Sequence, residues 1–197
     1  MARKLKILMI DKYYFIKGGA ERYYFELAKL LEAQGHQVIP FSMQHNENLG
    51  TSYSDYFVDF IDYNNGSKKI NFAQSLKIAG RMLYSIHSKR KLEALIEHVK
   101  PDLAHLHMID HQISPSILHT LKNHEIPVIQ TVHQYKLVCP NYRLYNTRTN
   151  SICEKCLGGH YLYPITERCH KNSFAAGLLL ALETYLHRFL SIYENVD

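Results

Sequence analysis

Cys139, Cys153, Cys156 and Cys169 are all the cysteines of a 197-residue chain, and they fall within one stretch, residues 139–170. Their spacing, C-x13-C-x2-C-x12-C, admits a disulfide framework, a metal site, or reduced thiols packed as small apolar groups. Tetrahedral zinc takes four thiolates, and a C-x2-C pair supplies two of them from one tight turn. Cys153-Glu154-Lys155-Cys156 has that form, followed by Gly158 and Gly159, which allow the chain to reverse. Cys139 and Cys169 are far enough away in sequence to fold back and complete the shell, with His160 and His170 as spare donors. A closed four-cysteine shell leaves no open position, so zinc here is expected to be structural and to fold an insertion that lacks a core of its own. A redox role for Cys153 and Cys156 has no thioredoxin-like surroundings to support it. The clustering of all four favours zinc.

Three other groups of residues carry possible chemistry. Gly18 and Gly19 stand at the expected start of a helix, where small residues let backbone N–H groups approach an anion that the helix dipole favours. By themselves they fit a packing turn equally well. His105, His107, Asp110 and His111, in HLHMIDH, resemble the H-x-H-x-D-H of metallo-β-lactamase-type hydrolases, with one residue too many before the aspartate. The pair His105 and His107 should share one sheet face. His133 closes the run IPVIQTVH and would sit on the rim of a sheet, near His107 if the two strands are neighbours.

The elements that must hold these groups alternate between two periods. LKILMID, residues 5–11, is a continuous apolar run suited to a strand buried on both faces. A helix follows, with Tyr23, Leu27, Leu30 and Leu31 at helical spacing and Gly35 as its stop. QVIPFSM, residues 37–43, is a second strand, and DYFVDFIDY is a candidate for pairing at a sheet edge. One long amphipathic helix is expected over 71–99, carrying Phe72, Leu76, Ala79, Leu83 and Ile86 on a stripe that slips near Lys89–Lys91 and resumes at Leu92, Leu95, Ile96 and Val99. Pro101 ends it. PDLAHLHM gives another strand, ISPSILHTLKNHE a helix, and IPVIQTVH a third convincing strand. A final helix is expected from about Ser173 to Tyr193. Strands alternating with helices predict an α/β, Rossmann-like, mostly parallel sheet with helices on both faces. In such a fold ligands collect at the carboxyl ends of the strands, just after Asp11, Met43, His107 and His133.

Bulk properties narrow the classes. Hydrophobic residues make up 46% and the net charge is +5, enough core to fold and too little clustered charge for a nucleic-acid binder. The apolar run Ile7–Ile10 is too short for a signal segment, and Phe174–Leu182 is too short to span a bilayer. A cytoplasmic protein is expected, and a reducing cytosol disfavours disulfides. Lys68, Lys69, Lys77, Arg81, Lys89, Arg90, Lys91 and Lys100 cluster around the long helix. They form a solvated face or a peripheral contact with anionic lipid at the inner face of the membrane. There is no G-x-G-x-x-G, no G-K-[ST], and no acidic residue at the end of the second strand, which excludes the common dinucleotide and P-loop enzymes.

LKILMIDKYYFIKGGAERYYFELAKLLEAQGHQV, then PDLAHLHM, then IPVIQTVHQYKLVCP, resemble the N-terminal half of a family 4 glycosyltransferase, which has the GT-B fold of two Rossmann-like domains facing a cleft. The C-P…C-x2-C-L-G-G…C pattern resembles a subset of that family with a cysteine-rich insert. The resemblance implies a Rossmann-like acceptor-side domain over 1–197 with the insert at 139–170. It implies retaining transfer of a sugar from a nucleotide-sugar donor to a hydroxyl of a glycolipid or saccharide acceptor. Gly18 and Gly19, with Glu21 nearby, would approach the donor diphosphate. His133 would sit beside the transferred sugar as the catalytic residue, and His107 on the acceptor side. Gln134 replaces the aspartate common after that histidine. No catalytic metal is implied. The family holds its donor through an E-x7-E pair in a C-terminal domain. No two glutamates here have that spacing, so that domain is expected to be absent from this chain, to be supplied in cis or in trans, and activity alone to be weak or nil. The rival readings are a zinc-stapled, non-enzymatic interaction module or subunit of a split transferase, and a metallohydrolase built on HLHMIDH.

Overall fold

A computed structural model describes residues 3–61 and 72–197, with the side chains of residues 72–75 and 77 outside the description. Lys68, Lys69 and the side chains of Phe72 and Lys77 therefore lie outside the described residues. The chain forms two compact units, Met1–Thr131 with Ile192–Asp197, and Val132–Ser191.

In the first unit the apolar run becomes β1 (Lys6–Ile10), with Leu8, Met9 and Ile10 fully buried. A strand with four consecutive apolar residues, Ile7–Ile10, needs cover on both faces, and the topology supplies it. β1 pairs in parallel with β2 (Gln37–Phe41) on one side and β3 (Leu103–Leu106) on the other, and β3 pairs in parallel with β4 (Val128–Gln130). The order is β2-β1-β3-β4. Right-handed crossovers then put the helix between β1 and β2 on one face and the helices between β2, β3 and β4 on the other. The fold is the α/β, Rossmann-like sheet that the alternating pattern predicts.

Between β1 and β2 runs α1 (Gly19–Ala33), whose Tyr24, Phe25 and Ala28 pack on Ile7 and Met9. Alternation turns Leu8 and Ile10 to the opposite face. The buried stripe of α1 is rotated from the expected one: Tyr23 and Leu30 are exposed, while Leu27 and Leu31 are only partly buried. The face that meets β1 is set by Glu21, Tyr24, Phe25 and Ala28. Gly35 does stop the helix, at φ +86°, a conformation suited to glycine.

The expected long helix is two helices, α2 (Phe72–Leu83) and α3 (Ile86–Val99). The break falls at Ser85, ahead of the slip in apolar phase, because Ser85 caps α3: its hydroxyl accepts from Ser88 N at 3.1 Å. Leu76 and Ile86 are exposed, whereas Leu92, Leu95, Ile96 and Val99 are buried as the periodicity requires. After β3, α4 (Ile117–Asn123) starts later than expected because His111 and Ser114 take positive φ, 62° and 73°. The segment DYFVDFIDY contributes a parallel bridge, Met43 to Val58. Residues Ile192–Asn195 form a short 3-10 turn against α4, and Asp197 N donates to Val128 O at the β4 edge.

The second unit holds a small antiparallel hairpin, β5 (Tyr145–Asn146) with β6 (Ser151–Ile152), then α5 (Tyr163–Thr166) and α6 (Phe174–Phe189). Ser173 caps α6 by accepting from Ala176 N at 3.2 Å. The helix stops short of Tyr193 because Ser191 has φ 46°. Gly177 passes so close to α5 that a Cβ there would lie 2.1 Å from the Pro164 carbonyl oxygen. Lys136 and Glu183 form a buried ion pair at 2.5 Å, with 7% and 0% of their side chains exposed.

Candidate active-site rim and cysteine cluster

The sheet reverses its winding between β1 and β3: from β1 the chain goes outward to β2, then returns to the other side as β3. The carboxyl ends of strands flanking such a point open a crevice. Here the two exits are stitched together. Lys12 N donates to Met108 O at 2.8 Å, and His107 N to Ile10 O at 2.9 Å. Asp11 closes the seam with its carboxylate, accepting from Tyr13 N at 3.0 Å and from Met108 N at 3.3 Å. Only 1% of Asp11 is exposed. Burial pushes its carboxyl up to about 7, the Glu21 charge adds to the rise, and the two N–H bonds and Lys12 oppose it. From the sequence, Asp11 receives a place at a strand end and no role. An acidic residue ending an apolar strand on the rim was the available signal.

Glu21 lies in the first turn of α1 and is 3% exposed. Gly18 is the exposed N-cap residue, at φ −162°, with no side-chain cap, and its carbonyl accepts from Arg22 N at 3.1 Å. A Cβ on Gly18 would sit 3.5 Å from a Glu21 carboxylate oxygen, and one on Gly19 would meet nothing within 4 Å. Neither glycine is required by backbone angle or by packing. Both are exposed and place no side chain over the first turn of α1, whose N–H groups are the donors an anion uses.

His107, just beyond β3, is 2% exposed. Its ring lies 5.2 Å from that of Tyr24, 5.9 Å from that of Tyr23, and 4.5 Å from that of His105, on which it stacks. His105 shares a 2.8 Å hydrogen bond with Thr131 Oγ1. The two histidines therefore share one sheet face, as their spacing requires, and that face carries α1. The rim thus brings together Gly18, Gly19, Glu21 and His107, and adds Asp11 and the half-exposed Tyr23. Because β3 ends at Leu106, Asp110 and His111 lie in the loop beyond. Among the described residues no group of three or more His, Cys, Asp or Glu is arranged to hold a metal ion.

His133 belongs to the second unit, three residues past the end of β4, which is shorter than the run IPVIQTVH. It is half-buried. β4 pairs on β3 through three residues, and that short register limits its length.

The structure joins none of the four cysteines in a disulfide; Cys139, Cys156 and Cys169 are buried and Cys153 is partly so. Their loops are tied by hydrogen bonds. Asn141, 1% exposed, donates to Cys169 O at 3.0 Å and to Tyr145 O at 2.9 Å. Thr147 Oγ1 donates to Cys169 O at 2.9 Å, and Cys153 N to Leu144 O at 2.9 Å. Burial pushes the Cys156 thiol up to about 12, with Cys139, Cys169 and Cys153 adding to it. Cys169 rises to about 11 through burial, with Cys139 and Cys153 contributing. Cys156 thus has all three other cysteines among its electrostatic neighbours, and Cys169 has Cys139 and Cys153.

A surface cavity of about 320 Å³, lined by Ile96, Glu97, Lys100, Pro101, His124 and Ile126, lies at the amino ends of β3 and β4. That is the end of the sheet away from the rim.

The order β2-β1-β3-β4 with helices between the strands defines an α/β protein with a Rossmann-like parallel sheet. Residues 17–157 match the family described as Glycosyltransferase Family 4, and the chain belongs to that family. It is also similar to a Klebsiella pneumoniae protein described as "Uncharacterized 42.6 kDa protein in cps region", 32% identical over 146 residues, covering 71% of this chain and 39% of that protein. The chain spans about two fifths of the length of this curated relative.

Proposed function

We propose that this chain is the acceptor-side half of a retaining glycosyltransferase that moves a sugar from a nucleotide-sugar to a hydroxyl of a glycolipid or polysaccharide. Family membership supports glycosyl transfer in general. The observation that carries the finer reading is the convergence of Gly18, Gly19, Glu21, Asp11 and His107 at the switch point between β1 and β3. The start of α1, with Gly18 and Gly19 exposed, would receive the donor diphosphate, whose charge grows as the glycosidic bond breaks. Asp11, with its carboxyl raised to about 7, carries less negative charge there than an ordinary aspartate, which eases approach of the anion. His107 is covered by Tyr23 and Tyr24, so its part on the acceptor side is to set the Tyr23 ring that borders the rim. His133 would assist at the acceptor hydroxyl or transferred sugar. Most of the donor affinity would come from a C-terminal domain, in cis or in trans. Exposed Arg90 and Lys100 are available for peripheral contact with anionic lipid. Among the described residues no helix is long and apolar enough to cross a membrane.

The test uses the full gene product and a panel of nucleotide-sugars, with release of nucleoside diphosphate as readout. At least one donor is expected to be turned over, about 100-fold more slowly in His133→Ala, a typical loss for one acid–base group. Gly19→Val is expected to raise the donor KM. A folded protein that turns over no donor, or a His133→Ala variant with unchanged kcat, overturns the reading.

A further inference from the structure

The unit Val132–Ser191 is about sixty residues long, a size at which an apolar core alone rarely sustains a fold. Its core is unusually thin. Besides Cys139, Cys156 and Cys169, the buried apolar residues of the unit are Tyr161, Leu180 and Ala181, if its prolines are set aside. Larger apolar side chains on the cysteine loops, Leu137, Val138, Ile152, Leu157 and Leu162, point outward. The two hairpin strands are two residues each, and α5 is one turn. Half of the short list of buried apolar groups is sulfur.

Hydrogen bonds bring the cysteine-bearing segments to one place. Asn141, two residues after Cys139, holds the Cys169 carbonyl and the start of β5. The end of β6 hands directly to Cys153, whose N–H is fixed on Leu144. The next turn carries Cys156, whose carbonyl accepts from Gly159 N at 3.0 Å, with Gly159 at φ +84° as the reversal requires. The unit also carries seven Lys and Arg against three Glu, an excess that would offset a dianionic centre.

We infer that Cys139, Cys153, Cys156 and Cys169 bind one zinc ion, and that this centre, more than apolar burial, folds residues 132–191. The reaction is an exchange without redox change: one Zn²⁺ binds four thiols as thiolates and four protons leave, giving a centre of charge −2. Among the described residues the four thiols are not arranged as a metal shell, so binding has to bring them together. The inference stands independently of the transferase reading, since a closed sulfur shell offers no site for substrate.

The test takes the full chain, purified without chelator and analysed for metal, followed by hydrogen exchange before and after chelation. About one zinc per chain is expected, and chelation is expected to speed exchange across 132–191 while the β1 and β3 amides keep their protection. Cys156→Ser and Cys169→Ser are expected to lose zinc, and His105→Ala to retain it. Absence of zinc together with unchanged exchange on chelation overturns the inference. So does zinc that survives the serine variants, or disulfides among these cysteines in the protein as isolated. Zinc that leaves without any change in exchange over 132–191 overturns the folding role.

Discussion

Replacing Asp11 by asparagine isolates one titration. In the folded protein the carboxyl titrates at about 7, against 3.8 for an unperturbed aspartate. Folding therefore takes up a proton between those values. The sign follows: the protonated, folded form is favoured at low pH, and stability falls by ~1.4 kcal/mol per pH unit as pH rises from about 4 toward 7. Across that window the loss is on the order of 4 kcal/mol, and above it the curve is flat. The amide of the Asp11→Asn variant cannot titrate, so the stability difference between that variant and wild type should shift in favour of the variant by that amount between pH 4 and pH 8. The constant offset between the two curves is a separate matter: the amide can accept from only one of Tyr13 N and Met108 N, at a cost of ~1–3 kcal/mol. Only the slope tests the reasoning. Glu21 and Lys12 face the same carboxyl and are common to both proteins. Hydrogen exchange of the Leu8, Met9 and Ile10 amides at matched ionic strength reports the first unit alone, and titration of a carbon-13-labelled Asp11 carboxyl reports the midpoint directly. A difference curve flat to within ~1 kcal/mol, or a carboxyl midpoint near 4, refutes the argument that burial outweighs the two N–H bonds.

Two further outcomes concern the second unit. Gly177→Ala puts a Cβ 2.1 Å from Pro164 O and 2.6 Å from its carbonyl carbon, so α5 and α6 must separate. A loss of ~1–3 kcal/mol or more is expected in chemical denaturation of that unit, and a variant within ~0.5 kcal/mol of wild type shows that the approach is not as tight as described. For the buried pair, Lys136→Met alone removes the ammonium that faces the buried Glu183 carboxylate at 2.5 Å and should cost ~3–5 kcal/mol, whereas Lys136→Met with Glu183→Leu should return to within ~1 kcal/mol of wild type. A double-mutant cycle in denaturant measures both, and a double variant as unstable as the single one counts against the desolvation argument.

How much of this was legible in the sequence depends on how local each cause is. LKILMID reads as a doubly buried strand because Ile7, Leu8, Met9 and Ile10 are consecutive apolar residues, and β1 contains them. Gly35 reads as a helix stop because its conformation is costly for other residues. The break at Ser85 is partly local, a serine cap, but Ser85 is also fixed from outside, since its N–H donates to Ser116 Oγ at 3.1 Å. No periodicity carries that contact. The face of α1 that turns inward, away from Tyr23 and Leu30, was decided by where Ile7 and Met9 lie. The rim follows the same division. Gly18, Gly19 and His107 could be placed at strand exits from pattern alone. The role of Asp11 could not, because its burial and its bond to Met108 depend on a strand almost a hundred residues away.

The chain leaves the first unit at Thr131 and re-enters it at Ile192, which is fully buried there. During synthesis at about 5–20 residues per second, roughly 3–12 s pass between the emergence of β4 and that of the turn that packs on α4. Over this interval the nascent first unit lacks its last piece of core, and the β4 edge lacks Asp197. The intervening segment must draw its own ends together before the return is made. Loop-closure entropy grows with the length of unstructured chain, so a segment that folds on emergence shortens the search for the returning turn. The order of translation thus makes early folding of residues 132–191 a condition for prompt completion of the first unit.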